Sequence, residues 1–170
     1  MEGNNSSSGF LTVRNVIRIA AGICIIMFFC PFIAVKGWGE SAGVSAAQLL
    51  AGSSDLVSDA TFGAIFLLLL PVGLLVITFI KKLSDKIASI ITAAAAGTGL
   101  LIWLIIGLGT KSAVEEYTLW LGISVSTTFW FWLTILMLLT ITACGVMMLV
   151  KKMGMDTELV ALFKGNASKE

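Results

Sequence analysis

The sequence predicts an all-α membrane protein: a four-transmembrane-helix antiparallel bundle with a small extracytoplasmic cap built from two outer loops. Three observations lead there. Hydrophobic residues are 58% of the 170, and the 17 glycines raise the apolar share to about two-thirds, against roughly 45–50% in soluble domains. A chain of this length cannot bury that much apolar surface inside one globule. Charged residues, only 12% of the chain, leave four stretches with no charge: Ile19 to Val35, Ala60 to Ile80, Ile87 to Thr110, and Tyr117 to Val150. A hydrocarbon core needs ~20 helical residues to cross.

The third observation is where the cations fall. With the N-terminus inside, Arg14, Arg18, Lys81, Lys82, Lys86, Lys151, Lys152, Lys164 and Lys169 share the inner side, and only Lys36 and Lys111 lie outside. Acidic residues divide evenly between the sides. This bias predicts a multi-pass protein of the cell membrane with both termini cytoplasmic.

Each element has its own justification. Residues 1–14, rich in Ser and Asn, read as a disordered cytoplasmic tail. Helix one is expected over about 15–35, with Arg18 snorkelling to the headgroups and Pro31 in the last turns. No small-residue cleavage site closes it, so it reads as an uncleaved anchor. In the first outer loop, Ser45 and Gln48 form a capping-box pair and Gly52 a stop, which predicts a short helix. Asp59 stands as the N-cap of helix two, about 60–80.

Helix three, about 87–109, carries Ser89, Ala93 and Gly97 at four-residue spacing, with Ala88, Thr92 and Ala96 beside them. Two rows of small residues let neighbouring helices approach closely, which puts helix three at the centre. The fourth uncharged stretch is too long for one crossing and too short for two. Its polar first part, Tyr117 to Thr128, is therefore expected outside, as a strand or a helical extension, and helix four over about 129–150. Residues 151–170 form a cytoplasmic tail in which Asp156 caps a short amphipathic segment, Thr157 to Lys164.

All five tryptophans, Trp38, Trp103, Trp120, Trp130 and Trp132, fall on the outer side of this topology. They read as an aromatic belt at the outer headgroups that also supports the cap; an aromatic docking surface is the alternative. Pro71, mid-way along helix two, removes an N–H from the helix and marks a candidate kink. Thr134, Thr140 and Thr142 in helix four could line a narrow polar path, or bond their own i−4 carbonyls.

The residues that are missing exclude more chemistry than those present suggest. Without histidine there is no Ser-His arrangement and no haem axial histidine, and most zinc sites are disfavoured. No Asp or Glu lies within an expected helix core, so proton-coupled four-helix exporters and intramembrane aspartyl proteases lack their titrating carboxylate. Cys24, Cys30 and Cys144 form no C-x-x-C pair and read as small packing residues. Glu115 and Glu116 are the sole adjacent carboxylates and read as a solvated face. A net charge of +1 indicates no nucleic-acid partner.

Phe29-Cys30-Pro31-Phe32-Ile33-Ala34-Val35, followed by Ser45-Ala46-Ala47-Gln48-Leu49-Leu50-Ala51-Gly52, resembles a pattern of small uncharacterised bacterial four-helix membrane proteins. In those, F-x-P-F-x-x-V precedes S-G-x-x-L-x-x-G ahead of the second helix; here Ala46 replaces the glycine. The resemblance implies a bacterial cytoplasmic membrane and brings no activity with it. The expectation is a non-enzymatic integral membrane protein, an interaction, assembly or accessory subunit without cofactor, metal or catalytic residue. Its partners would be the lipid bilayer and another membrane protein or further copies of itself. A homo-oligomeric channel formed between protomers is the alternative.

Overall fold

The computed structural model describes residues 12–37, 40–52, 62–80, 83–118 and 122–159. Helix α1 runs Val13–Met27. The Thr12 hydroxyl accepts the Asn15 amide at its start. The amides of Val13 and Arg14, which have no partner within the helix, donate to the carbonyls of Thr157 and Met155 at 3.0 and 2.8 Å. A segment far along the chain thus completes the cap.

Helix α1 stops at Met27 because of Pro31. Proline biases the residue before it toward extended backbone and cannot continue the amide ladder. Strand β1, Pro31–Gly37, follows and pairs antiparallel with β2, Glu40–Ser45, with Ile33 opposite Val44 and Val35 opposite Ala42. On its other edge β1 pairs antiparallel with β3, Ser124–Thr127, so the sheet order is β2-β1-β3. Helix α2, Ala46–Ala51, starts at the Ser45–Gln48 capping box and ends at Gly52, whose φ of 61° is the left-handed conformation glycine adopts freely.

A single 3-10 turn, Phe62–Ala64, leads into α3, Ile65–Ile77. Helix α4 spans Asp85–Thr118 and α5 Phe129–Lys151. Two buried clusters hold these elements. One joins Phe28, Phe32, Ile33, Val44 and Leu49 to Trp103, Val114 and Phe131 beneath the sheet. The other joins Val13, Ile17 and Ala21 to Leu74, Ala88, Ala96, Ile141, Cys144 and Met148 at the opposite end.

This architecture corrects the four-transmembrane-helix bundle. Among the described residues two helices, α4 and α5, are long and apolar enough to cross a membrane, and the molecule carries a three-stranded antiparallel sheet. The 15 residues of α1 reach about 22 Å and the 13 of α3 about 20 Å at the usual rise, short of the ~30 Å hydrocarbon core. The expected helix over 15–35 gives up its last part to β1. The cap is accordingly a sheet with one short helix rather than two loops.

Helix α4 overruns its expected end at 109 and stays helical past Lys111, Glu115 and Glu116. Charge ends a lipid-facing surface without ending a helix, and Ala113, Glu115 and Glu116 are good helix formers. The stretch 117–128 contains both expected forms, since α4 reaches Thr118 and β3 begins at Ser124. The segment expected to start as a helix at Thr157 does not do so. Asp156 lies in a turn and pairs with Arg14, Thr157 lies in a bend, and Glu158 is bridged to Thr12. Residues 1–11 and 160–170, Asp59, and the Lys81-Lys82 pair lie outside the described residues.

Candidate functional site

Among the described residues α4 and α5 make the closest helix contact. A Cβ built on Gly145 would lie 2.7 Å from the Ala93 amide nitrogen and 2.9 Å from its Cα, so the two backbones touch there. Further along, a Cβ on Gly107 would run into the Phe131 ring. Of the small residues expected to pack helices, Ser89 and Ala96 are buried and Ala93 sits at the Gly145 crossing. Gly97 has open space beside it, with nothing within 4 Å of where a Cβ would stand. Gly145 and Gly107 carry no sequence signal, because a lone glycine in an apolar run makes no four-residue row. The Thr92 hydroxyl, beside Ser89 and Ala96 on the buried face, has no hydrogen-bond partner among the described residues.

At the sheet end, Trp103 of α4 is buried between Phe32 of β1 and Phe131 of α5, at centroid distances of 5.3 and 5.9 Å. Its indole N–H donates to the Phe131 carbonyl at 3.2 Å. Trp103 is therefore a core residue joining the sheet to the seam. Trp130 and Trp132 are exposed beside Phe129, while Trp38 and Trp120 lie outside the described residues. Pro71 is buried within an α3 that continues from Ile65 to Ile77, and only about 10 Å³ is left open among Pro71, Leu67, Gly99 and Leu138.

The opposite end holds the densest polar arrangement among the described residues. Arg14 and Arg18, one turn apart on α1, both reach the C-terminus of α3. Arg18 donates from Nε to the Thr78 hydroxyl at 3.0 Å and from Nη2 to the Thr78 carbonyl at 2.9 Å, with its guanidinium 4.3 Å from the Phe79 ring centroid. Arg14 donates to the same carbonyl at 3.2 Å and from Nη2 to Asp156 Oδ2 at 3.0 Å, while its Nε, 2.9 Å from Asp156 Oδ1 in the ion pair, makes no hydrogen bond among the described residues. Two cations therefore face the negative end of the α3 dipole and its last carbonyls. Arg18 serves a neighbouring helix rather than the headgroups expected of it. The i,i+4 spacing of the two arginines was the available signal; the Thr78 acceptor had none.

Beside this cluster, between the start of α4 and the end of α5, lies a cavity of about 360 Å³ lined by Asp85, Lys86, Ser89, Met148 and Lys152 among others. Elsewhere, Lys111 and Glu115 approach to 4.0 Å on the α4 extension. Cys24 and Cys144 are buried and Cys30 half-buried, all three as free thiols. Among the described residues no group of three or more His, Cys, Asp or Glu side chains could hold a metal ion.

The fold and these features define a mostly helical protein with two membrane-capable helices, an arginine-clamped end and a sheet-capped end. Comparison of the chain with protein-family models, with curated proteins and with solved structures finds no match.

Proposed function

We propose that this chain is a multi-pass integral protein of the cell membrane that works without catalysis, as an assembly or accessory subunit for another membrane protein. The observation that carries the membrane part is the outward apolar surface of the helices. Ile26, Leu101, Ile105, Leu136 and Val150 are between 55 and 76% exposed, and Phe66, Leu69 and Val76 add to them. Water would penalise such a surface along every long helix, whereas lipid does not. Helices α4 and α5 form the spanning hairpin, and the shorter α1 and α3 pack against it.

Orientation follows from charge. Arg14, Arg18, Lys86, Lys151 and Lys152 gather at the arginine-clamped end, while the sheet-capped end holds Lys36 and Lys111 with Glu40, Glu115 and Glu116. The arginine-clamped end is cytoplasmic on this reading. Thr12 and Glu158 are bridged side by side, which puts both described ends of the chain there.

The accessory role rests on the sheet. Among the described residues β2 pairs with β1 alone, and Glu40, Ser41, Ala42 and Gly43 are exposed along it. An open strand edge takes an extended segment of a partner by main-chain hydrogen bonds. The channel alternative draws no support from the threonines. Thr134, Thr140 and Thr142 donate to the carbonyls of Trp130, Leu136 and Leu138 at 2.8–2.9 Å, within their own helix.

The test is extraction into native nanodiscs after an alkaline carbonate wash, with the mass of the complex and of every co-purifying chain measured. The expected result is retention in the membrane and a defined complex with a different membrane protein, lost in Ser41→Pro, because the Ser41 amide faces the open edge whereas that of Ala42 pairs with Val35. Release by carbonate overturns the membrane reading. A bare monomer, or a closed ring of identical subunits, overturns the accessory reading.

A further inference from the structure

We propose that the cavity between the start of α4 and the end of α5 is a binding site for a phospholipid of the inner leaflet whose headgroup joins a phosphate to a primary amine. The proposal rests on the membrane reading above. The cavity, about 360 Å³, falls within the range of roughly 300–1,000 Å³ typical of small-molecule sites. It opens at the cytoplasmic end of the two spanning helices, where the headgroups of the inner leaflet lie. Its lining is of two kinds. Met148, Leu149 and Met153 supply an apolar side suited to the glycerol backbone and the first acyl carbons, and methionine adapts to such irregular chains.

The polar side carries charges of both signs. Lys86 and Lys152 are exposed cations from the two different helices, and Asp85 stands next to Lys86 at the first turn of α4. None of the three side chains has a hydrogen bond or ion pair among the described residues. Basic residues lining a pocket between membrane helices on the cytoplasmic side are a recurrent way of holding a lipid headgroup. The positive end of the α4 dipole adds to them.

Asp85 decides which headgroup. Its carboxylate repels a second negative charge and accepts hydrogen bonds, so it selects an N–H donor beside the phosphate. It is held close against the backbone of Gly154, where an added Cβ would fall 2.7 Å from its Oδ2. The carboxylate thus stands exposed at the rim of the cavity, beside Gly154. Ser89, buried below it, donates to the Asp85 carbonyl at 2.7 Å and fixes the first turn. A trimethylated amine offers no N–H donor, and a glycerol headgroup offers no cation, so each loses part of this match.

The experiment reconstitutes the full chain in nanodiscs of equimolar phosphatidylethanolamine, phosphatidylglycerol and phosphatidylcholine. Lipids still bound after ejection from the disc are then counted by native mass spectrometry. Phosphatidylethanolamine is expected in excess over phosphatidylcholine by about three- to fivefold, the scale of one exposed ion pair. Asp85→Asn abolishes that preference while retaining bound lipid. Lys86→Ala with Lys152→Gly lowers the binding of all three lipids; glycine suits position 152, whose φ is 53°. Equal retention of the three lipids by the wild type overturns the site, as does an Asp85→Asn variant with unchanged preference. Bound phosphatidylglycerol in excess assigns an anion site in place of the paired one and overturns the amine. A chain that does not enter the disc overturns the membrane reading instead, so the two failures are distinguishable.

Discussion

Gly145→Ala and Gly97→Ala add the same methyl group to the two membrane-capable helices and are expected to act in opposite directions. At Gly145 the new Cβ would lie 2.7, 2.9 and 3.0 Å from the N, Cα and Cβ of Ala93. Carbon contacts are comfortable at about 3.5–4.0 Å, so α4 and α5 must part by several tenths of an ångström or more. The obstructing atoms are mostly backbone and cannot rotate away. Parting by about 0.5–1 Å forfeits a quarter to a half of the dispersion energy of the pairs across the seam, where Ile141, Cys144 and Met148 are packed. Overpacking of this kind costs about 1–3 kcal/mol, against a gain of up to about 1 kcal/mol in helix propensity. The net expectation for Gly145→Ala is a loss of about 1–2 kcal/mol. At Gly97 nothing lies within 4 Å, so the propensity gain stands alone and the variant should be more stable by about 0.5–1 kcal/mol. Denaturant titration in detergent micelles, followed by circular dichroism, measures both. A Gly145→Ala protein as stable as the wild type, or less damaged than Gly97→Ala, would refute the account of the seam.

Arg18→Ala should cost about 1–2 kcal/mol, because it removes the charged donor of the Thr78 hydroxyl, leaves the Thr78 carbonyl to Arg14 alone and takes the guanidinium off Phe79. Arg18→Lys should recover less than half, since an ammonium cannot span both oxygens and stack; full recovery in the same titration would show that only charge matters. Asp156→Asn should cost under about 1 kcal/mol, as that carboxylate is 80% exposed. Ser45→Ala breaks the capping box and should cost about 1 kcal/mol, read most directly as faster amide exchange over Ala46–Ala51. In intact cells an impermeant maleimide should label Cys30 alone, with Cys24 and Cys144 reacting only on unfolding. Labelling of Cys30 solely after lysis would reverse the orientation.

What could be read from the residues was mainly where helices begin and what caps them. Helix α5 begins at Phe129 and ends at Lys151, one residue past expectation, because the polar run Ser124–Thr128 and the Lys151-Lys152 pair bound it sharply. The Ser45–Gln48 pair marked α2 for a similarly local reason. Strand β1 was not legible. Phe32-Ile33-Ala34-Val35 is uniformly apolar, and a run without alternation fits a buried strand as well as a helix. Absence of charge therefore measured contact with lipid or core and left the backbone conformation open. The arginine clamp was half legible: the i,i+4 pair was visible, but its acceptor lies 60 residues further on. The cavity beside Asp85 was not legible at all, since Lys86 and Lys152 meet there only through the α4–α5 hairpin.

The two motif segments that are separate in the chain turn out to be one unit in space. The Phe28 carbonyl accepts the Ala47 amide at 3.1 Å, which joins the end of α1 to the start of α2. The Phe32 carbonyl accepts the Thr128 amide at 3.0 Å, and the Thr128 hydroxyl donates to the Pro31 carbonyl at 2.6 Å. The sheet is thereby tied to the first residues of α5. Helix α4, about 51 Å long, exceeds the hydrocarbon core by about 20 Å, and that extra length places Val114 in the cluster beneath the sheet. Trp103, lower on the same helix, packs on both Phe32 and Phe131. A strand added at the β2 edge would therefore bear, through β1, on the helix pair whose backbones meet at Gly145. The contact is made at Phe131, about 21 Å along α5 from the Gly145 crossing, so the sheet braces one end of the seam and the glycine the other.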